Sequence, residues 1–273
     1  MNDEWVDGGL SGTKRMFGGW RVNRRQLLVG MGRGGLAVAV LGMAACSENE
    51  SGGAAASESG GAAASSPSGT GSASPTGRAP GELGWERVNL GFVSAYVLIR
   101  GSKAAVIDTG VQGSEDAIGE VLDAAGPGWA GVSDVILTHR HPDHAGSLPE
   151  VMKRASAATG HIGEDDLAGV SSPRRLKVAA DGSEIFGVQV VATPGHTLGH
   201  ISVFDPETGV LVSGDAVRNT SGLQGSDPVY TDDQDAAAAS LRKLAKLPVK
   251  TILFGHGAPL TSGAAAALST LAG

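Results

Sequence analysis

The sequence predicts a mixed α/β domain, and three observations carry that prediction. Short apolar runs with strand-like alternation recur from residue 87 onward, and two stretches of helical length lie among them. The residue types that bind metals fall where the apolar runs end. A sheet protein built this way gathers its chemistry along one edge.

The elements are read in chain order. Arg87-Val88-Asn89-Leu90 and residues 92–100 alternate as strands, Gly101-Ser102-Lys103 makes a turn, and Ala104-Ala105-Val106-Ile107 forms a strand running into Asp108-Thr109-Gly110. A helix is expected over 115–125, closed by Gly126-Pro127-Gly128. Further strands are expected at 133–138, 185–192, 200–205 and 209–213. Asp232-Asp233-Gln234-Asp235 opens a helix through Leu247, its acids placed at the positive end of the helix dipole. A last strand, 249–254, precedes His256, and the alanine runs at 236–239 and 264–267 suit helices.

These elements occupy residues 81–273, enough chain for one domain with its own core. The preceding residues 47–80 are Ser, Gly, Ala and Pro almost throughout. Such a composition buries too little apolar surface to offset its ordering entropy, so it reads as a disordered tether with a reach on the order of 30 Å. Residues 1–46 have the layout of an export signal. Paired Arg24-Arg25 precede an apolar, Gly-rich stretch that ends at Met43-Ala44-Ala45-Cys46, which resembles a twin-arginine signal followed by a bacterial lipobox. An uncleaved membrane anchor is the competing reading, but Arg33 and five glycines make a poor permanent span.

Charge follows the same division. The first 46 residues hold six Lys/Arg against three acids, while the remainder holds 15 against 25, a net of −10. An acidic domain lacks the electrostatic footprint of a phosphate-backbone binder, so no nucleic-acid partner is expected and a small-molecule substrate is. Cys46 is the only cysteine, so the domain forms no disulfide and can fold before export. The expected partners of the leader are the twin-arginine export machinery and the outer face of the cytoplasmic membrane, reached through lipidated Cys46. The expected location is exported, lipid-anchored or secreted.

The densest chemical signal is His139-Arg140-His141-Pro142-Asp143-His144, directly after Val135-Ile136-Leu137-Thr138. Two residues apart on an extended segment, His139 and His141 point the same way and can grip one ion. Pro142 then turns the chain, letting Asp143 and His144 face a second position. His196, Asp215 and His256 each sit beside Gly or Pro at a strand end. His200 reads as a supporting residue, His161 as structural with no identifiable partner, and Tyr230 as either pocket wall or packing.

The order Asp108-Thr109-Gly110, then H-x-H-x-D-H, then Gly195-His196-Thr197-Leu198-Gly199-His200, Gly214-Asp215 and Gly255-His256-Gly257 resembles the metallo-β-lactamase superfamily. The resemblance implies a single-domain αββα four-layer sandwich with two divalent metal ions, most often Zn(II), at one edge. It implies His139, His141 and His196 as ligands of the first metal, Asp143, His144 and His256 as ligands of the second, and Asp215 as the bridge. Asp143 and Asp108 are the implied catalytic carboxylates, the first to pass protons and the second to orient ligands.

The implied activity is metal-dependent hydrolysis of a small ester, thioester, lactone or lactam by hydroxide generated at the metals. A mononuclear iron persulfide dioxygenase is the alternative within the same motif, and a tethered, non-catalytic binding protein is the second. Substrate choice is expected to reside in loops 111–113, 161–175 and 218–231.

Overall fold

The computed structural model describes residues 83–273. The expected signal and tether, residues 1–46 and 47–80, lie outside the described residues. Among these residues no helix is long and apolar enough to cross a membrane.

A six-stranded sheet comes first, in the order β1 (Gly84–Asn89), β2 (Ser94–Arg100), β3 (Lys103–Ile107), β4 (Val132–Ile136), β5 (Thr159–Ile162) and β6 (Lys177–Val178). Helices α1 (Glu115–Ala125), α2 (Gly128–Gly131), α3 (Pro142–Ala145) and α4 (Leu148–Arg154) fall within it, as does a 3-10 turn, Glu164–Gly169. The chain then builds a second sheet from β7 (Glu184–Ile185), β8 (Val188–Ala192), β9 (Ile201–Asp205) and β10 (Val210–Gly214). A short ribbon, β11 (Val217–Arg218) with β12 (Gln224–Gly225), precedes α5 (Gln234–Leu244), β13 (Thr251–Phe254) and α6 (Ala264–Ala272). Strand β13 adds to β10 in parallel, giving the order β13-β10-β9-β8-β7.

Three apolar layers follow from the two-residue period of the strands. In β2, Ala95, Val97 and Ile99 pack toward α1 and α4, where they meet Ile118, Leu122, Leu148, Val151 and Met152. Tyr96 and Leu98, on the other face, meet Val190, Ile201, Val203 and Val212 of the second sheet. The far side of that sheet, with Phe204, Leu211, Ile252 and Phe254, is covered by Leu241 and Leu244 of α5 and Leu268 of α6. The architecture is an αββα four-layer sandwich. Strands buried on both faces read as continuous apolar runs, which is why β2 shows little polar alternation.

Helix α1 spans the expected residues and ends at Gly126, whose φ of 102° is the left-handed cap glycine adopts freely. Helix α5 is shorter than expected. Asp233 accepts a hydrogen bond from the Ala236 N–H at 2.9 Å and so becomes its N-cap, which starts the helix at Gln234 and leaves Asp235 in its first turn. The strand expected over 185–192 is two strands, β7 and β8. Phe186 and Gly187 both take positive φ, 51° and 77°, and close a tight antiparallel hairpin between Ile185 and Val188. Helix α4 and strand β5 have no counterpart in the sequence reading. His161, read as partnerless, lies on β5 with Nε2 2.8 Å from Asp134 Oδ1 on β4.

Strand register sets where the chemistry lies. Parallel β3 and β4 end together at Ile107 and Ile136, so Asp108 and Thr138-His139 emerge side by side. Parallel β10 and β13 end at Gly214 and Phe254, which does the same for Asp215 and His256. The β8–β9 connection, paired at Ala192 and Ile201, carries His196.

Candidate metal centre

Seven side chains expected as ligands converge. His139, His141 and His196 form one cluster and Asp143, His144 and His256 another, each offering ligand atoms within 4.8 Å of one another. Asp215 stands between them. Its Oδ2 is 3.4 Å from His196 Nε2 and 3.2 Å from His256 Nε2, while its Oδ1 is 3.2 Å from His144 Nε2.

The outer hydrogen bonds fix which ring nitrogen of each histidine is bare. A carboxylate or carbonyl only accepts, so His144 Nδ1–H donates to Asp108 Oδ2 at 2.8 Å and His256 Nδ1–H to the Phe92 carbonyl at 2.8 Å. The Thr138 hydroxyl gives its proton to Asp108 and therefore accepts from His139 Nδ1–H at 3.0 Å. A longer chain serves His196. Thr231 donates to the Asp227 carbonyl at 2.6 Å, Ser226 donates to Thr231 at 2.7 Å, and Ser226 accepts from His196 Nδ1–H at 3.1 Å. In all four rings Nε2 is left facing the shared centre.

That arrangement is unfavourable without a cation and fits one well. His141 Nδ1 lies 3.1 Å from His139 Nε2 and 2.9 Å from His196 Nε2, and one proton cannot serve both lone pairs. A divalent ion with nitrogen ligands at roughly 2.0–2.1 Å turns these repulsions into bonds. Asp215 Oδ1 is a buried oxygen with no hydrogen-bond partner among the described residues, an orphan that coordination would satisfy. Neutral imidazoles with carboxylates are the donor set zinc-like ions prefer, so the residues fit the group.

Burial, the largest influence, lowers His139 well below the usual histidine value and takes His196 down to about 4. These rings are neutral at physiological pH, the form that ligates. For His144 burial works downward, but Asp215 and Asp108 outweigh it and hold the ring well above its usual value. His256 rises to about 10, where burial is outweighed by Asp143 and Asp215. Protons therefore compete with a cation for the second cluster.

Asp108, expected as a ligand-orienting residue, is bonded to His144. It is buried and also accepts from the Thr138 N–H at 2.7 Å. It adopts a φ of 60°, costly for a non-glycine residue and affordable where several bonds hold it. Asp108 is not among the residues lining the cavity. His200 uses both ring nitrogens, donating from Nδ1 to Thr193 at 2.8 Å and accepting the Asp215 N–H on Nε2 at 3.0 Å. Burial holds it down to about 3, consistent with that neutral, accepting role.

Asp166 escaped the sequence reading. Fully buried, it accepts from the Arg140 backbone N–H at 3.0 Å, the Arg140 guanidinium at 2.6 Å and the Thr197 hydroxyl at 2.6 Å. It thus fastens the loop of His139 and His141 to the loop of His196. Its local sequence, Glu164-Asp165-Asp166, gives no sign of which acid turns inward.

Two glycines are fixed by close approach. A Cβ on Gly214, whose φ is 52°, would lie 2.6 Å from His200 Nε2, and one on Gly255 would lie 2.4 Å from Asp215 Oδ1. A cavity of about 480 Å³ opens over the centre, with Phe92, Arg218, Asp227 and Tyr230 on its walls beside the exposed faces of the candidate ligands. Of the loops expected to choose substrate, 218–231 lines this cavity. Loops 111–113 and 161–175 contribute no residue to its lining.

The profile of the metallo-beta-lactamase superfamily matches residues 88–256. The chain belongs to that superfamily. It is 32% identical over 158 residues to a hydroxyacylglutathione hydrolase of Pseudomonas putida (strain W619), covering 56% of this chain and 56% of that one. It is 30% identical over 201 residues to a probable metallo-hydrolase, YflN, of Bacillus subtilis (strain 168), covering 57% of this chain and 76% of that protein. The chain spans about half the length of several curated relatives it matches. Among solved structures, the di-iron-bound form of TTHA1623 aligns with a TM-score of 0.52 at 27% identity, covering 64% of this chain and 92% of that one.

Proposed function

We propose that this protein is a dinuclear metal-dependent hydrolase of a small ester, thioester, lactone or lactam, with His139, His141 and His196 holding one ion, Asp143, His144 and His256 the other, and Asp215 both. The observation that carries the reading is the position of Asp215, whose carboxylate faces both clusters at 3.2–3.4 Å. A mononuclear iron centre leaves the second cluster of Asp143, His144 and His256 without a role. The names metallo-hydrolase and hydroxyacylglutathione hydrolase among the relatives support the reaction class.

When bound, two divalent ions supply Lewis acidity and hydroxide at neutral pH. The chain supplies the rest. Asp108, Thr138, Ser226 and the Phe92 carbonyl hold the imidazoles of His144, His139, His196 and His256, respectively, in the tautomer that leaves Nε2 free, while His141 presents Nδ1. Asp143 lines the cavity with an oxygen 3.3 Å from His256 Nε2, placed to take a proton from the attacking water and return it to the leaving group. Burial works to raise Asp143, but its bond to His256 and the charge of His144 prevail and keep it low, so it is an ionised acceptor at neutral pH.

Two further readings concern the leader and the metal. Residues 1–46 act as a twin-arginine export signal with lipidation at Cys46, and the ions are Zn(II). Elemental analysis of the purified full chain, with turnover of an ester, thioester, lactone and lactam panel, tests the function. Two metal equivalents with hydrolysis of at least one class support it. A single iron per chain with oxygen consumption replaces it with the oxidative alternative.

A further inference from the structure

We propose that the substrate of this centre is an electrically neutral acyl compound, an ester, thioester or lactone, bearing an apolar group beside its scissile carbonyl. The proposal rests on the hydrolase reading and narrows it by charge and shape.

Arg218 is the one Lys or Arg among the residues lining the cavity. Its guanidinium is already engaged, Nη1 with the Asp227 carboxylate and Nε with the Gly225 carbonyl. Arg140, between two of the candidate ligands, is likewise engaged by Asp166 at 2.6 Å and Asp232 at 2.8 Å. The one Lys or Arg on the cavity wall is thus charge-paired, and no unpaired Lys or Arg lines it. Asp227 faces the same space paired with Arg218, so the pair offers an entering carboxylate no net positive charge. A peptide-like anion such as a glutathione conjugate therefore gains nothing from these walls and loses hydration to enter.

The apolar side is equally specific. Phe92 and Tyr230 both line the cavity although they are 64% and 66% exposed. Phe92 is not a loose surface residue. Its ring lies nearly parallel to His256, 13° between planes with centroids 6.2 Å apart, and its carbonyl accepts from the same imidazole. One aromatic wall is thus fixed directly beside a candidate ligand. Tyr230 stands on the loop whose Ser226 and Thr231 orient His196. The two rings give an apolar acyl or alcohol group surface to cover, and about 480 Å³ lies within the range of small-ligand sites.

The test compares two thioesters with the same acyl group, one of glutathione and one of the neutral thiol N-acetylcysteamine, on the metal-loaded full chain. The neutral thioester is expected to show at least tenfold higher kcat/KM, rising with acyl chain length. Tyr230→Ala should flatten that dependence with metal content unchanged. Asp227→Asn, which releases the Arg218 charge, should raise kcat/KM for the glutathione thioester relative to the neutral one. Equal or better turnover of the glutathione thioester by the unsubstituted chain overturns the proposal. If neither thioester turns over while a neutral ester or lactone does, the same tenfold criterion applies to that substrate against its carboxylate-bearing analogue; inertness toward all of these, with metal bound, overturns instead the hydrolase reading on which the proposal rests.

Discussion

The backbone N–H of Asp215 rests on Nε2 of His200 at 3.0 Å. The bond has two consequences. It aims the carboxylate that faces both clusters, and it occupies the nitrogen with which His200 could have joined them.

His200→Ala should therefore weaken metal binding without removing a ligand. The expected result is two equivalents bound with roughly 10–100-fold lower affinity, the usual effect of losing a group that orients a ligand. Competition titration with a zinc-binding dye measures this. Loss of one whole equivalent would make His200 a ligand.

Asp166→Ala should cost about 3 kcal/mol of stability, since it leaves Arg140 and the Thr197 hydroxyl without their buried acceptor. Denaturant unfolding of the metal-free chain reads this directly. A change below about 0.5 kcal/mol, the level of an ordinary surface substitution, contradicts the clamp.

Gly255→Ala places a methyl 2.4 Å from Asp215 Oδ1 and 2.6 Å from His144 Cε1. Both groups must move, so metal affinity should fall at least tenfold while far-ultraviolet circular dichroism stays unchanged. Affinity equal to that of the parent chain would show that the strand end has room to spare.

Tyr96 is buried between the sheets and donates to the Phe254 carbonyl at 2.7 Å. Burial is the main cause of its rise from 10.0 to about 12. Because the folded value lies above the unfolded one, the stability it contributes is complete below about pH 10 and is lost as pH climbs toward 12. Of the two tyrosines, Tyr96 should ionise only near pH 12 in the folded chain, seen as delayed phenolate absorbance that Tyr96→Phe removes. Tyr96 titrating near pH 10 would contradict it.

What the sequence discloses and what it hides differ in physical kind. His139, His141 and Asp143 cluster in one turn, and Gly214-Asp215 and Gly255-His256 mark strand ends by their glycines, so their grouping is readable from spacing and backbone demands. Helix α1 is readable too, since Ile118 and Leu122 share a face and Gly126 closes it. Strand β5 is not, because Thr159–Ile162 is short and joins the sheet through parallel pairing with a distant β4. The β7–β8 hairpin is hidden by Phe186, a residue that seldom takes the positive φ it has there. Asp166, Ser226 and Thr231 act only through contacts made across the fold, and a linear reading gives no reason to separate them from neighbouring acids and hydroxyls.

The central claim is a paired metal centre with Asp215 between its halves, and counting ions tests it most directly. Metal per chain is measured in the full-length protein and in His196→Ala and His256→Ala after equilibrium dialysis against Zn(II) in excess of the sites. The account predicts two ions in the parent chain and one in each variant. A parent chain that holds one ion or none, or variants that both keep two, contradicts it.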